Sequence, residues 1–141
     1  MFTLKNLQTL CFGLIVSISS LSTFTLSAKD NNQIDLHAYN REVALAVKLI
    51  KQKDYAKACA YLGNLPQISD LQETKSKQAQ LQLNVYYLQG HCHAGLGLYA
   101  IARDNFERVV TNDPNQARPY LDLALTYQYL GDFSQANEQY D

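Results

Sequence analysis

The sequence predicts an all-α fold of about three helical hairpins. Three observations carry that prediction. From Leu36 onward, apolar residues recur at spacings of three and four, the period of an amphipathic helix. Short turns, Gly97-x-Tyr99 and Gly131-Asp132-Phe133, and a stop at Asp113-Pro114 divide these runs into segments of helix length. And one pattern occurs twice, 34 residues apart: Tyr86-x-x-Gln89-Gly90-x-x-His93 with Tyr99, Ala102 and Phe106, then Tyr120-x-x-Leu123-Ala124-x-x-Tyr127 with Phe133, Ala136 and Tyr140.

Residues 1–28 read as an export signal rather than as part of the fold. Lys5 is the only charge before Lys29, Leu10 to Ile18 is an apolar core, and Ser and Thr then dominate up to Ala28. Cleavage is expected after Ala28, with Ser27 as the alternative site. A retained anchor would need about 20 consecutive apolar residues, which the Ser/Thr-rich second half does not supply. Cys11 lacks the preceding residues of a lipoprotein signal. Residues 29–34 are polar and expected to be a flexible lead-in, and residues 35–141 form the helical domain.

The first helix is expected to be capped by Asp35 and to run to Lys51, with Leu36, Tyr39, Val43, Ala46, Val47 and Ile50 on its apolar side. Gln52 to Tyr55 turns the chain, and Ala56 to Leu65 makes the second helix, ended by Pro66. This pair reads as a degenerate first repeat over residues 39–70. The next repeat begins 44 residues after the first instead of 34. Ser69-x-x-Gln72 suggests a capping box, so the extra residues are expected to extend one long helix from Asp70 to Ala94, solvated over its first turns. Repeat two covers residues 83–116. Gly90 allows close approach of a partner helix; Gly95 and Gly97 end the first helix; Tyr99, Ala102, Phe106 and Val109 line the second. Repeat three covers residues 117–141, with Pro119 in the first turn of a helix and Ala136 and Tyr140 in the next.

These spacings resemble the tetratricopeptide repeat. The resemblance implies a superhelix of stacked hairpins whose first helices line a groove, and a protein or peptide partner. The groove offsets fall on Asn84, Tyr87 and His91 in repeat two, and on Arg118, Leu121, Leu125 and Gln128 in repeat three; in repeat one they fall on Asn40, Val43 and Val47. The mixture of aromatic, aliphatic and polar groups suits an extended peptide or a partner helix. The Lys and Asn with which some family members grip a C-terminal carboxylate are replaced by Val43 and Val47. Tyr86, Tyr99, Tyr127 and Tyr140 fall at packing offsets. The run from Ala117 to Phe133 also resembles the periplasmic repeat domain of the surface lipoprotein assembly modifier family, which would make this chain the head of an outer-membrane protein. A regulatory repeat arm of a larger enzyme is a further reading.

A formal net charge of −1 gives no basic excess for nucleic acid and no acidic tail. No phosphate loop and no HExxH or GxSxG motif occurs, so no enzyme and no cofactor is expected. His91-Cys92-His93 are consecutive on a helix, about 100° apart, and cannot converge on one ion, so no metal is expected there. Lys48, Lys51, Lys53 and Lys57 form a basic cluster that reads as a solvated face. After signal removal two cysteines remain, Cys59 and Cys92. Both sit where a helix buries a small residue, which favours two buried thiols; in an oxidising compartment a bridge is the alternative. The expected location is periplasmic, with membrane association only through an uncleaved signal or a further C-terminal part. The sequence stops two-thirds through its third repeat without a polar capping helix. It is therefore expected to be a module of a longer protein, or else a chain that covers its end as a homodimer.

Overall fold

The computed structural model describes residues 35–140, so the expected export signal and the expected lead-in to residue 34 lie outside the described residues. The described chain is a succession of helices: α1 (Leu36–Lys51), α2 (Tyr55–Gly63), a single 3₁₀ turn (Ile68–Asp70), α3 (Lys75–Gly95), α4 (Tyr99–Asn112), α5 (Ala117–Leu130) and α6 (Phe133–Glu138). Each helix packs on the next, and α1 also packs on α3. The result is a tetratricopeptide-type array of hairpins α1–α2, α3–α4 and α5–α6.

Side-chain caps begin four of these helices. The carboxylates of Asp35, Asp54 and Asp132 and the Thr74 hydroxyl each accept a backbone N–H of the first turn, which would otherwise have no partner. The Asp35 cap is the one expected from the sequence.

The hairpin turns repeat one geometry. The amide of Asp54 donates to the Leu49 carbonyl at 3.0 Å, that of Leu98 to His93 at 2.9 Å, and that of Asp132 to Tyr127 at 2.9 Å. Each bond is the wide pair of a Schellman motif, which closes a helix through one left-handed residue. That residue is Gly97 at φ 75° and Gly131 at φ 81°, but Lys53 at φ 61° in the first hairpin. The first hairpin, degenerate in sequence, therefore turns as the other two do.

Small residues fix the spacing between helices. Ala46, Gly90 and Ala124 on first helices, and Ala58, Ala102 and Ala136 on second helices, are all buried. A Cβ built on Gly90 would lie 2.5 Å from the Phe106 ring, so the aromatic fills the space that glycine leaves. Gly95 does the same for Tyr55, again at 2.5 Å, and it is still helical. Its role is packing between hairpins rather than ending the helix. Around these contacts lie three apolar clusters: Tyr39 with Ile68, Leu71, Leu81 and Val85; Ala46 with Ala58, Leu62 and Cys92; and Phe106 with Ala102, Val110, Leu123, Tyr127 and Ala136.

The segment between α2 and α3 corrects the expected helix from Asp70. Leu71 is extended and 2 % exposed, Ile68 is 8 % exposed, and both pack on Tyr39. Burying these side chains outweighs continuing the helix, so α3 starts later, at Lys75, capped by Thr74. The Ser69 hydroxyl donates to Asp70 instead of capping a helix. The first turns of α3 are solvated as expected, apart from Gln78, whose amide donates to the Leu71 carbonyl.

Two further expectations are corrected. Tyr140 lies beyond α6 and is 47 % exposed, so it is not a packing residue among the described elements. Cys59 and Cys92 are bonded to each other as a disulfide, with Cα atoms 5.6 Å apart, instead of being two thiols. The small-residue positions of α2 and α3 face each other across the hairpin interface, which brings the sulfurs together. Among the described residues no helix is long and apolar enough to cross a membrane.

Candidate functional site

The groove residues expected on α3 and α5 meet at a residue the sequence reading passed over. Asp122 projects from α5 toward α3 with its side chain 12 % exposed. Its Oδ2 accepts the Tyr87 hydroxyl at 2.6 Å, lies 3.3 Å from His91 Nε2, and lies 3.5 Å from Arg118 Nε. Tyr87 and His91 stand one turn apart on α3, and Arg118 and Asp122 one turn apart on α5, so helical spacing places each pair on one face. The Tyr87 and His91 rings meet edge-on at 4.6 Å, and both are edge-on to Phe106, at 5.9 and 5.4 Å. The polar cluster therefore rests on the ring that fills the Gly90 space.

Burial alone would push the Asp122 carboxyl up. The hydrogen bonds from His91 and Tyr87 and the charges of His91 and Arg118 outweigh it and hold the group below the usual carboxylate range. Burial, and then the bond to Asp122, push the Tyr87 phenol up, so it stays a protonated donor. Arg118 is 72 % exposed and adds little to stability at that distance. The cluster can join first helices of neighbouring hairpins and present an arginine beside them. It offers no activated nucleophile.

Leu121 and Leu125 follow Arg118 on α5 and are 45 % and 41 % exposed. Arg118 and Leu121 line an open cleft of about 730 Å³ together with Ala117, Tyr120 and Tyr140. Leu125 lines a smaller one, about 180 Å³, with Asp122, Tyr99 and Tyr129. There the Tyr99 and Tyr129 rings stack in parallel at 4.5 Å. Gln128 donates to the Tyr140 hydroxyl at 3.2 Å at the margin. Asn84 is exposed on α3 and belongs to neither cleft. In the first hairpin Asn40 is exposed, while Val43 packs into the Tyr39 cluster and is taken up by the core.

A second polar cluster lies between α4 and α5, where the Tyr127 hydroxyl donates to Glu107 and Arg103 approaches Glu107 at 3.7 Å. Burial, and then the Glu107 carboxylate, push the Tyr127 phenol up to about 12. The four lysines of the first turn are all exposed, and Lys57 pairs with Asp54 at 2.8 Å.

Residues 83–116 match the family model of the tetratricopeptide repeat. The matched segment holds α3 from Leu83 onward, the Gly97 turn and α4, and so includes Tyr87, His91 and the Gly90–Phe106 contact. A repeat of this family suggests a protein–protein interaction scaffold. No curated protein matches the chain. The resemblance of residues 117–133 to the surface lipoprotein assembly modifier family gains no support from these comparisons.

Asp122 had a signal in the sequence. It stands four residues after Arg118, an ion-pair spacing, and 35 residues after Tyr87, one repeat plus one position. Tyr129 stands 34 residues after Gly95, so the turn aromatics Tyr55 and Tyr99 each pack on the same offset of the following repeat.

Proposed function

We propose that this protein is a non-catalytic scaffold that holds a peptide or helix of a protein partner along α3 and α5. The observation that carries the reading is the run Arg118, Leu121, Leu125 along α5. Two aliphatic side chains stay exposed on an element whose opposite face is buried, beside a guanidinium and over an open cleft. Exposed apolar groups flanked by polar ones at helical spacing are what an extended peptide or amphipathic helix needs. The Tyr87–Asp122 bond supports the surface by joining the two helices that carry it, so little ordering remains to be done on binding.

The scaffold works outside the cytoplasm, in the periplasm. The apolar core and Ser/Thr-rich exit of residues 1–28 support this, and so does the Cys59–Cys92 disulfide, a bond of oxidising compartments.

The test of binding is a displayed peptide library selected on the whole chain, with selected peptides then titrated against a Leu121→Asp/Leu125→Asp variant. The expected result is loss of binding by more than about tenfold at an unchanged melting temperature. Equal binding to the folded variant would move the site elsewhere. The test of location is intact mass in cell fractions: a periplasmic species beginning near residue 29 agrees, and a cytoplasmic one retaining residue 1 does not.

A further inference from the structure

We infer that Cys59, Cys92 and His93 form a thiol-gated binding site for a soft divalent metal ion such as Zn²⁺. The disulfide closes the site, and reduction opens it.

Three donor atoms are already gathered. The sulfurs of Cys59 and Cys92 and a ring nitrogen of His93 all lie within 4.8 Å of one another. Three consecutive side chains on one helix cannot all close round an ion, and His91 indeed points away, to Asp122. The third donor comes from α2: Cys59 stands across the hairpin interface and faces the seam between Cys92 and His93. Two thiolates and an imidazole are a zinc donor set. Three protein donors leave a fourth position for water or an outside ligand.

A second observation falls on the same side chain. Nδ1 of His93 is buried and makes no hydrogen bond among the described residues. A ring nitrogen withdrawn from water with no partner costs free energy, and such an atom calls for a reason. Coordination through Nδ1 in the metal-bound state supplies one. In the oxidised state the sulfurs are held by each other and have no charge to offer.

The gate is a thiol–disulfide exchange. Cys59 is part-exposed and Cys92 fully buried, so an external dithiol attacks at Cys59. One sulfur of the reductant bonds to Cys59 Sγ and the Cys59–Cys92 bond breaks, leaving the Cys92 thiolate. The second sulfur of the reductant then displaces Cys59. The reductant leaves as its own disulfide, two electrons having passed to the protein. The two thiols lose their protons to solvent as the ion binds.

The experiment uses the whole chain, oxidised or reduced by a phosphine, without oxygen, and Co²⁺ as a spectroscopic probe with Zn²⁺ as competitor. The reduced chain is expected to take up a single Co²⁺ with a thiolate-to-cobalt charge-transfer band that Zn²⁺ abolishes, and the oxidised chain none. His93→Ala is expected to weaken uptake by at least about tenfold, and Cys59→Ser to remove most of the band. A reduced, helical chain without the band, or an unchanged affinity in His93→Ala, overturns the inference. Helicity by circular dichroism covers the case in which reduction loosens the fold: helix regained on adding Zn²⁺ supports the site, and helix not regained counts against it.

Discussion

Gly90 and Phe106 occupy one another's space: a single methyl group on Gly90 would lie 2.5 Å from the Phe106 ring, which is itself 1 % exposed. The ring cannot retreat, because Ala102, Leu123 and Tyr127 enclose it. Gly90→Ala should therefore destabilise the chain by about 1–3 kcal/mol, the usual range for overpacking a full core, despite the better helix propensity of alanine. At Gly95 the approach is as close, but the Tyr55 ring it meets is only partly buried. Gly95→Ala should cost less. Urea unfolding of both variants checks the order, and equal costs would show that the enclosure of Phe106 is not what matters.

Lys53 holds the left-handed position that Gly97 and Gly131 hold in the later turns. A side chain there strains the backbone by about 1–2 kcal/mol, partly offset by the greater unfolded-state freedom of glycine. Lys53→Gly should raise stability by up to about 1 kcal/mol. Thermal melting reads it directly. A lower melting temperature would mean the lysine makes contacts that repay its backbone.

Removing the Cys59–Cys92 bond should be felt mainly in the unfolded chain. It closes a loop with a sequence separation of 33 residues, for which loop-closure entropy predicts about 3–4 kcal/mol. Cys59→Ser should lower the urea midpoint accordingly while native helicity remains. A variant as stable as the parent would show that the helix interfaces alone restrict this segment.

Asp122 sets an acid limit. Its folded-state pKa is depressed, so its contribution is in place above the ordinary carboxylate range, about 4, and is lost as pH falls through the lower folded-state value. Asp122→Asn should cost about 1–3 kcal/mol at neutral pH, because Tyr87 and His91 lose an ionic acceptor. The same variant should lose less stability than the parent as the pH falls below about 4. Parallel acid profiles for the two proteins would remove Asp122 from the account.

Much of this protein is legible in one dimension because a repeat states its own grammar twice. The period of 34 residues, the small residues at Gly90, Ala102, Ala124 and Ala136, and the stop at Asp113-Pro114 mark where helices begin, which faces they bury and where they turn. Those are local matters, decided by helical period, capping and the backbone limits of glycine and proline. The groove residues Tyr87, His91 and Arg118 followed from the same register. What joins them did not: Asp122 becomes their common acceptor only when α5 is laid beside α3.

The other facts that tertiary structure decided are of the same kind. Residues 69–72 have a capping-box spacing, yet Leu71 turns inward because the hollow beside Tyr39 rewards burial more than one further turn of helix does. The sequence favours two buried thiols over one bridge, and the meeting of α2 with α3 makes them a bridge instead, with His93 at its side. Periodicity determined the elements of this protein; the distances between elements decided its bonds, because a sequence records which face a residue takes but not which residue stands opposite.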